Sequence, residues 1–117
     1  VLTPTRELTL QVANTFLQFN KFLPRDSKIV TLIGGESIGE QLIDIQKGCE
    51  IVVATSGRLI DIIDKKQINL NSVEYFILDE ADKMLDFGFA EELDTILLNL
   101  SQKRQNLLFS ATYPSKM

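Results

Sequence analysis

Residues 76–82 read Phe76-Ile77-Leu78-Asp79-Glu80-Ala81-Asp82: an apolar run, begun at Tyr75, that ends on three carboxylates within four positions. Apolar residues in unbroken succession suit a strand buried on both faces, as in a parallel sheet. Such a strand ending in Asp-Glu is the Walker B arrangement. In it the aspartate holds Mg²⁺, directly or through water, and the glutamate orients and deprotonates an attacking water. Glu80 follows Asp79 directly, so the two side chains point to different sides and can take different roles. Carboxylates this close raise one another's pKa, so the stretch calls for a positive partner, a lysine or a metal ion. Taken in isolation it also suits a helix start, where acidic side chains complement the positive end of the dipole.

Outward from this stretch, apolar runs alternate with helical periods. Leu8, Val12, Phe16 and Phe19 define one helical face, and KIVTLI (28–33) a strand stopped by Gly34-Gly35. Ile38, Leu42 and Ile45 define a second helix ended by Gly48, and EIVVA (50–54) a strand. Leu59, Ile62 and Ile63 mark a third helix, closed by the polar KKQINLNS (65–72). VEYFILD (73–79) is a strand, Phe89, Leu93, Ile96 and Leu100 a fourth helix, and QNLLFS (105–110) the last strand. The opening VLTPT reads as the end of one more strand. Continuous apolar strands alternating with helices predict an α/β fold, a parallel sheet with helices on both faces and right-handed connections. Ligands of such sheets bind beyond the carboxyl ends of the strands. Here those ends carry TPTRE, GGES, TSGR, DEAD and SAT, all polar, small or charged.

The whole chain is consistent with one domain: 117 residues, 44% of them hydrophobic, suffice for a single core. No apolar run approaches the roughly 20 residues of a membrane span. Cys49 is alone, so an internal disulfide is excluded and a reducing, intracellular setting is expected; the thiol is expected to be buried and inert. The absence of histidine excludes His-based triads and His-ligated zinc. A net charge of −4 argues against a general polyanion binder but leaves room for a local basic strip.

Several strand ends have the chemistry of phosphate contacts. In PTREL (4–8), Thr5 stands at a helix start and Arg6 in its first turn, where free N–H groups, a hydroxyl and a guanidinium meet. TSGR (55–58) has the same layout: Thr55 as a capping hydroxyl, Gly57 permitting close approach, and Arg58 at the helix start. Gly34 and Gly35 would let a sugar-phosphate backbone come near. Alone, each of the two helix starts is more often just a capped helix, and a plain turn explains the glycine doublet equally well. GGESIGEQ (34–41) nearly matches the phosphate-loop spacing G-x-x-x-x-G-K-[ST], but Glu40 and Gln41 stand where lysine and a hydroxyl are needed. A carboxylate there repels phosphate, so this is not a nucleotide site. In SAT, Ser110 and Thr112 flank Ala111 and can hydrogen-bond a carboxylate such as Asp82.

PTREL, the GG doublet, T-x-G-R, DEAD and SAT, in this order and spacing, resemble the first RecA-like domain of DEAD-box ATP-dependent RNA helicases. The resemblance covers the chain from PTREL (motif Ia) to SAT (motif III). It implies a three-layer RecA-like, P-loop NTPase-like parallel sheet, truncated at its amino end. It also implies ATP, Mg²⁺ and RNA as ligands, with Asp79 and Glu80 serving the metal and water activation. Asp82 with Ser110, Ala111 and Thr112 would link hydrolysis to unwinding. Pro4, Thr5, Arg6, Gly34, Gly35, Thr55, Gly57 and Arg58 would lie along the RNA backbone.

The departures from the family pattern are informative. TPGR is TSGR here, with Ser56 in place of proline, which is expected to add an N–H and some freedom to the loop. The phosphate loop is expected before Val1 and the second RecA-like domain after Met117. Residues 1–117 therefore read as a partial helicase domain, with a parent that couples Mg-ATP hydrolysis to local RNA unwinding. The fragment alone is expected to be inactive and to self-associate. The alternative is a non-catalytic module that binds RNA or protein.

Overall fold

In the computed structural model, which describes residues 1–25 and 27–112, the strands form one five-stranded parallel sheet. In chain order the elements are β1 (Leu2–Thr3), α1 (Arg6–Asn20), β2 (Ile29–Leu32), α2 (Ile38–Gln46) and β3 (Ile51–Thr55). They continue with α3 (Ser56–Asp64), β4 (Tyr75–Asp79), α4 (Ala81–Asp86), α5 (Ala90–Leu98) and β5 (Gln105–Phe109). The sheet order is β2-β3-β1-β4-β5. Every pairing is parallel, so all the carboxyl ends reach one edge. The short opening strand predicted from VLTPT is the centre of the sheet, paired with β3 on one side and β4 on the other.

The connection from β1 to β2 runs across the sheet in one direction, and those from β2 to β3, β3 to β4 and β4 to β5 run in the other. Right-handed crossovers then put α1 on one face and α2, α3 and α5 on the opposite one. The core follows this division. Val30, Leu32, Ala54, Phe76 and Leu78 face Leu59 and Ile62 of α3, Met84 of α4 and Leu93 and Ile96 of α5 in one buried cluster. Val53, between Val52 and Ala54, turns to the other face and is fully buried.

Two expectations change. On α1 the buried line runs through Thr9 and Ala13, with Leu8, Val12 and Phe16 half-buried beside it, while Phe19 is exposed. Packing follows the small residues, which let α1 sit close over β2 and β3. The expected fourth helix is α5, and a short helix that the periodicity did not mark precedes it: α4 starts inside DEAD at Ala81 and ends at Asp86, with Phe87 as its cap. Gly88 has φ of +80°, a backbone conformation that favours glycine, and this breaks the helix so that Phe89 and Leu93 turn back to the core.

Candidate functional site

The segments singled out in the sequence lie along the carboxyl edge in the order set by the sheet: the glycine turn after β2, TSGR after β3, PTREL after β1, DEAD after β4 and SAT after β5. PTREL starts α1. Thr5 is extended, its hydroxyl accepts the Leu8 N–H at 3.2 Å, and its carbonyl accepts from the Thr9 hydroxyl at 2.9 Å. An accepting hydroxyl keeps its own proton to donate outward. Pro4 is half-buried at the turn between β1 and α1.

Both arginines converge on the glycine turn. Arg6 Nη2 lies 3.8 Å from Glu36 Oε1, and its guanidinium lies against Gly35. A Cβ on Gly35 would stand 2.6 Å from Arg6 Nη1, the movable end of a flexible side chain, so it is the φ of +79° that favours glycine at this position. Gly34 meets no such restriction. Arg58 Nη1 donates to the Glu36 carbonyl at 3.2 Å and to Gln41 Oε1 at 3.1 Å. The Arg6–Glu36 pair is half-exposed, so it holds the arginine loosely.

TSGR departs from the expected layout. Thr55 makes no side-chain cap bond at the start of α3. Ser56 is buried, and its hydroxyl donates to Glu92 Oε1 of α5 at 3.0 Å. The serine that replaces proline therefore fixes the loop to α5 in place of adding freedom. Glu92 also sets a carboxylate beside the first turn of α3, with Oε2 3.7 Å from where a Gly57 Cβ would be. That negative charge favours the helix start and opposes a phosphate there.

At DEAD, Asp79 is half-buried at the end of β4, and its Oδ1 accepts the Glu80 N–H at 3.0 Å. Glu80 takes the left-handed conformation, φ 50° and ψ 50°, which turns the chain from strand into α4. Its Oε1 pairs with Lys83 Nζ at 2.6 Å, and this pair pushes the lysine pKa up. The positive partner that the acidic run calls for is thus a lysine one turn on, at a spacing that exists only because α4 starts at Ala81. No lysine or arginine among the described residues pairs with Asp79.

SAT meets DEAD through Asp82. The Thr112 hydroxyl donates to Asp82 Oδ2 at 2.9 Å, and the Asp82 N–H donates to Ser110 Oγ at 3.2 Å. Ser110 in turn donates to the Thr112 carbonyl. The Thr112 hydroxyl, with Ser110 beside it, holds the Asp82 carboxyl below its ordinary pKa. Of the two hydroxyls only that of Thr112 donates to the carboxylate; Ser110 meets the backbone. Ala111 is exposed between them.

Mg²⁺ fits Asp79 on the chemistry of its donors. Magnesium is held by one or two carboxylates plus nucleotide phosphates and waters, not by a protein cage. Among the described residues Asp79 Oδ2 has no hydrogen-bond partner, and no cluster of three or more candidate metal ligands exists. Glu80, the other residue named for the metal, is engaged by Lys83. Cys49 is half-buried, and burial with Glu50 beside it pushes the thiol pKa up, which leaves it unreactive.

A parallel α/β sheet with a Walker B strand at its carboxyl edge defines a protein of the RecA-like, P-loop NTPase-like class. The family described as DEAD/DEAH box helicase matches residues 1–117, and the chain belongs to that family. It is 46% identical over 119 residues to DEAD-box ATP-dependent RNA helicase 46 of Arabidopsis thaliana, covering all of this chain and 18% of that protein. It is 45% identical over 114 residues to ATP-dependent RNA helicase DbpA of Escherichia coli, covering 97% of this chain and 25% of that one. The crystal structure of a DEAD box protein from Methanococcus jannaschii superposes with a TM-score of 0.91 at 43% identity, over 98% of this chain and 31% of that one. The chain thus spans a quarter or less of those two curated relatives.

Proposed function

We propose that this chain supplies the RNA-facing edge and the hydrolytic carboxylates of an ATP-dependent RNA helicase, whose other parts are a phosphate loop and a second RecA-like domain. One observation carries the reading: DEAD, SAT, PTREL, TSGR and the glycine turn all reach one edge of a parallel sheet, with Arg6 and Arg58 converging on residues 35–41. On this reading Thr5, Arg6, Gly34, Gly35, Thr55, Gly57 and Arg58 line the path of a single-stranded backbone, with Pro4 shaping the entry to α1. Bound Mg-ATP supplies the phosphoryl group to be cleaved and neutralises its developing charge. Asp79 would hold the metal. Glu80 leaves Lys83 to orient and deprotonate the attacking water. Asp82 reports that change to Ser110 and Thr112, whose hydrogen bonds join the DEAD and SAT strand ends. An intracellular setting follows from work on RNA and fits a sequence with a single cysteine, Cys49, and so no internal disulfide. No helix among the described residues is long and apolar enough to cross a membrane.

The test is RNA binding by the double variant Arg6→Glu with Arg58→Glu. The parent chain is expected to bind single-stranded RNA weakly, on the order of high micromolar to millimolar, and less at higher salt. The double variant is expected not to bind; equal binding by both would remove the surface assignment. No ATP turnover is expected from residues 1–117 with Mg²⁺ and RNA. A steady rate abolished by Glu80→Gln would contradict that expectation. The Glu80–Lys83 pair favours a second reading, a non-catalytic RNA- or protein-binding module, because it occupies the would-be base. A G-x-x-x-x-G-K-[ST] segment in the longer protein decides for catalysis, and its absence for the module.

A further inference from the structure

Gln41 of α2 stands, next to Glu40, where a phosphate loop would carry a hydroxyl, and its environment gives it another role. Its side chain is 5% exposed. Nε2 donates to the Ile33 carbonyl at 3.0 Å, and Oε1 accepts from Arg58 Nη1 at 3.1 Å. The amide has one workable orientation. Turned over, its NH₂ would face the Arg58 guanidinium, donor against donor, and its oxygen would face the Ile33 carbonyl, acceptor against acceptor. The same Nη1 also reaches the Glu36 carbonyl at 3.2 Å. Two acceptors from different elements therefore fix the plane of one guanidinium. Both hydrogens of Nη1 are taken by the protein, while those of Nε and Nη2 have no partner among the described residues.

We infer that Gln41 is a positioning residue for RNA binding, holding Arg58 in place at the strand-end edge so that its free N–H groups meet a backbone phosphate. The inference rests on the RNA-backbone reading above. An arginine that grips a phosphate gives up rotamer freedom, and ordering it beforehand reduces what binding must overcome. The buried amide does this while also closing the turn after β2, so hydrogen bonds tie the glycine turn to TSGR.

The experiment is side-chain NMR of the guanidinium groups combined with single-stranded RNA titrations over a salt series. In the parent chain Arg58 is expected to show restricted guanidinium rotation while exposed Arg25 rotates freely; free rotation of Arg58 overturns the inference without any variant. Gln41→Met removes both polar groups at similar size and is expected to release Arg58. Gln41→Glu keeps an acceptor for Arg58 while giving up the donor to the Ile33 carbonyl, and is expected to hold the guanidinium through that acceptor. Gln41→Met is expected to lower the slope of log K against log salt by about 0.7, the share of one phosphate contact on a single strand. Arg58→Gln is expected to lower it equally, and the two together no further. If Arg58 stays restricted in Gln41→Met, or if Arg58→Gln lowers the slope and Gln41→Met does not, Gln41 has no positioning role. If Arg58→Gln itself leaves binding unchanged, the failure belongs to the RNA-backbone reading, and the inference falls with it.

Discussion

Strands β3 and β5 have similar length and comparable apolar content, and opposite surroundings. β3 lies between β2 and β1, with Val53 and Ala54 fully buried. Among the described residues β5 pairs with β4 alone, and Leu108 and Phe109 remain 45% and 55% exposed. On one face α1 lies over β1, β2 and β3. Phe109 falls on that same face, in register with Asp79, yet it stays open. Place in the sheet decides burial here, not composition. The covered half presents Arg58, held by two protein acceptors, beside a loosely paired Arg6; the open half presents Asp79, with one carboxylate oxygen unpartnered among the described residues, and the exposed SAT turn.

The largest expected effect separates the two halves energetically. Ile62 is fully buried in the core of the covered side. Ile62→Ala is expected to destabilise by about 2–5 kcal/mol, from lost transfer energy and the cavity left behind. Leu108→Ala is expected to cost no more than about 1 kcal/mol, since surface truncations have small effects. Denaturant melts of both variants check the contrast, and similar losses would mean that β5 is covered in solution. An apolar edge with unpaired backbone groups is also a template for another chain. Light scattering over a concentration series is expected to show self-association, relieved by Leu108→Lys; a monodisperse parent chain would show the edge to be closed.

Acid tests the open half through Asp82. Its lowered pKa means that the DEAD–SAT link is present above the ordinary value of 3.8 and lost as pH falls through the lower folded value. NMR titration of Asp82 in Thr112→Val is expected to return the carboxyl toward its ordinary value; an unmoved titration would leave the Thr112 bond without effect.

The same contrast explains what could be read from the sequence. Strand positions, parallel order and the gathering of polar strand ends follow from local patterns such as Phe76–Asp79 and Ile51–Ala54, and these were legible. The Glu80–Lys83 pair was within reach, three residues apart, but only once α4 is known to start at Ala81. Ser56 with Glu92 and Gln41 with Arg58 lie 36 and 17 residues apart, and no local pattern encodes such contacts. Phe19 fits a helical apolar stripe and is nevertheless exposed, because α1 packs through Thr9 and Ala13. Periodicity reports which face could be buried, not what is there to cover it.

The most direct measurement of the central claim is an amide NMR map of the chain titrated with a short single-stranded oligoribonucleotide. Backbone signals of residues 5–8, 34–37 and 56–58 are expected to shift together, less as salt is raised, with the β2 and β3 interiors unmoved. Shifts confined to other basic residues such as Lys47, Lys65 and Lys66, away from the strand ends, would contradict the account.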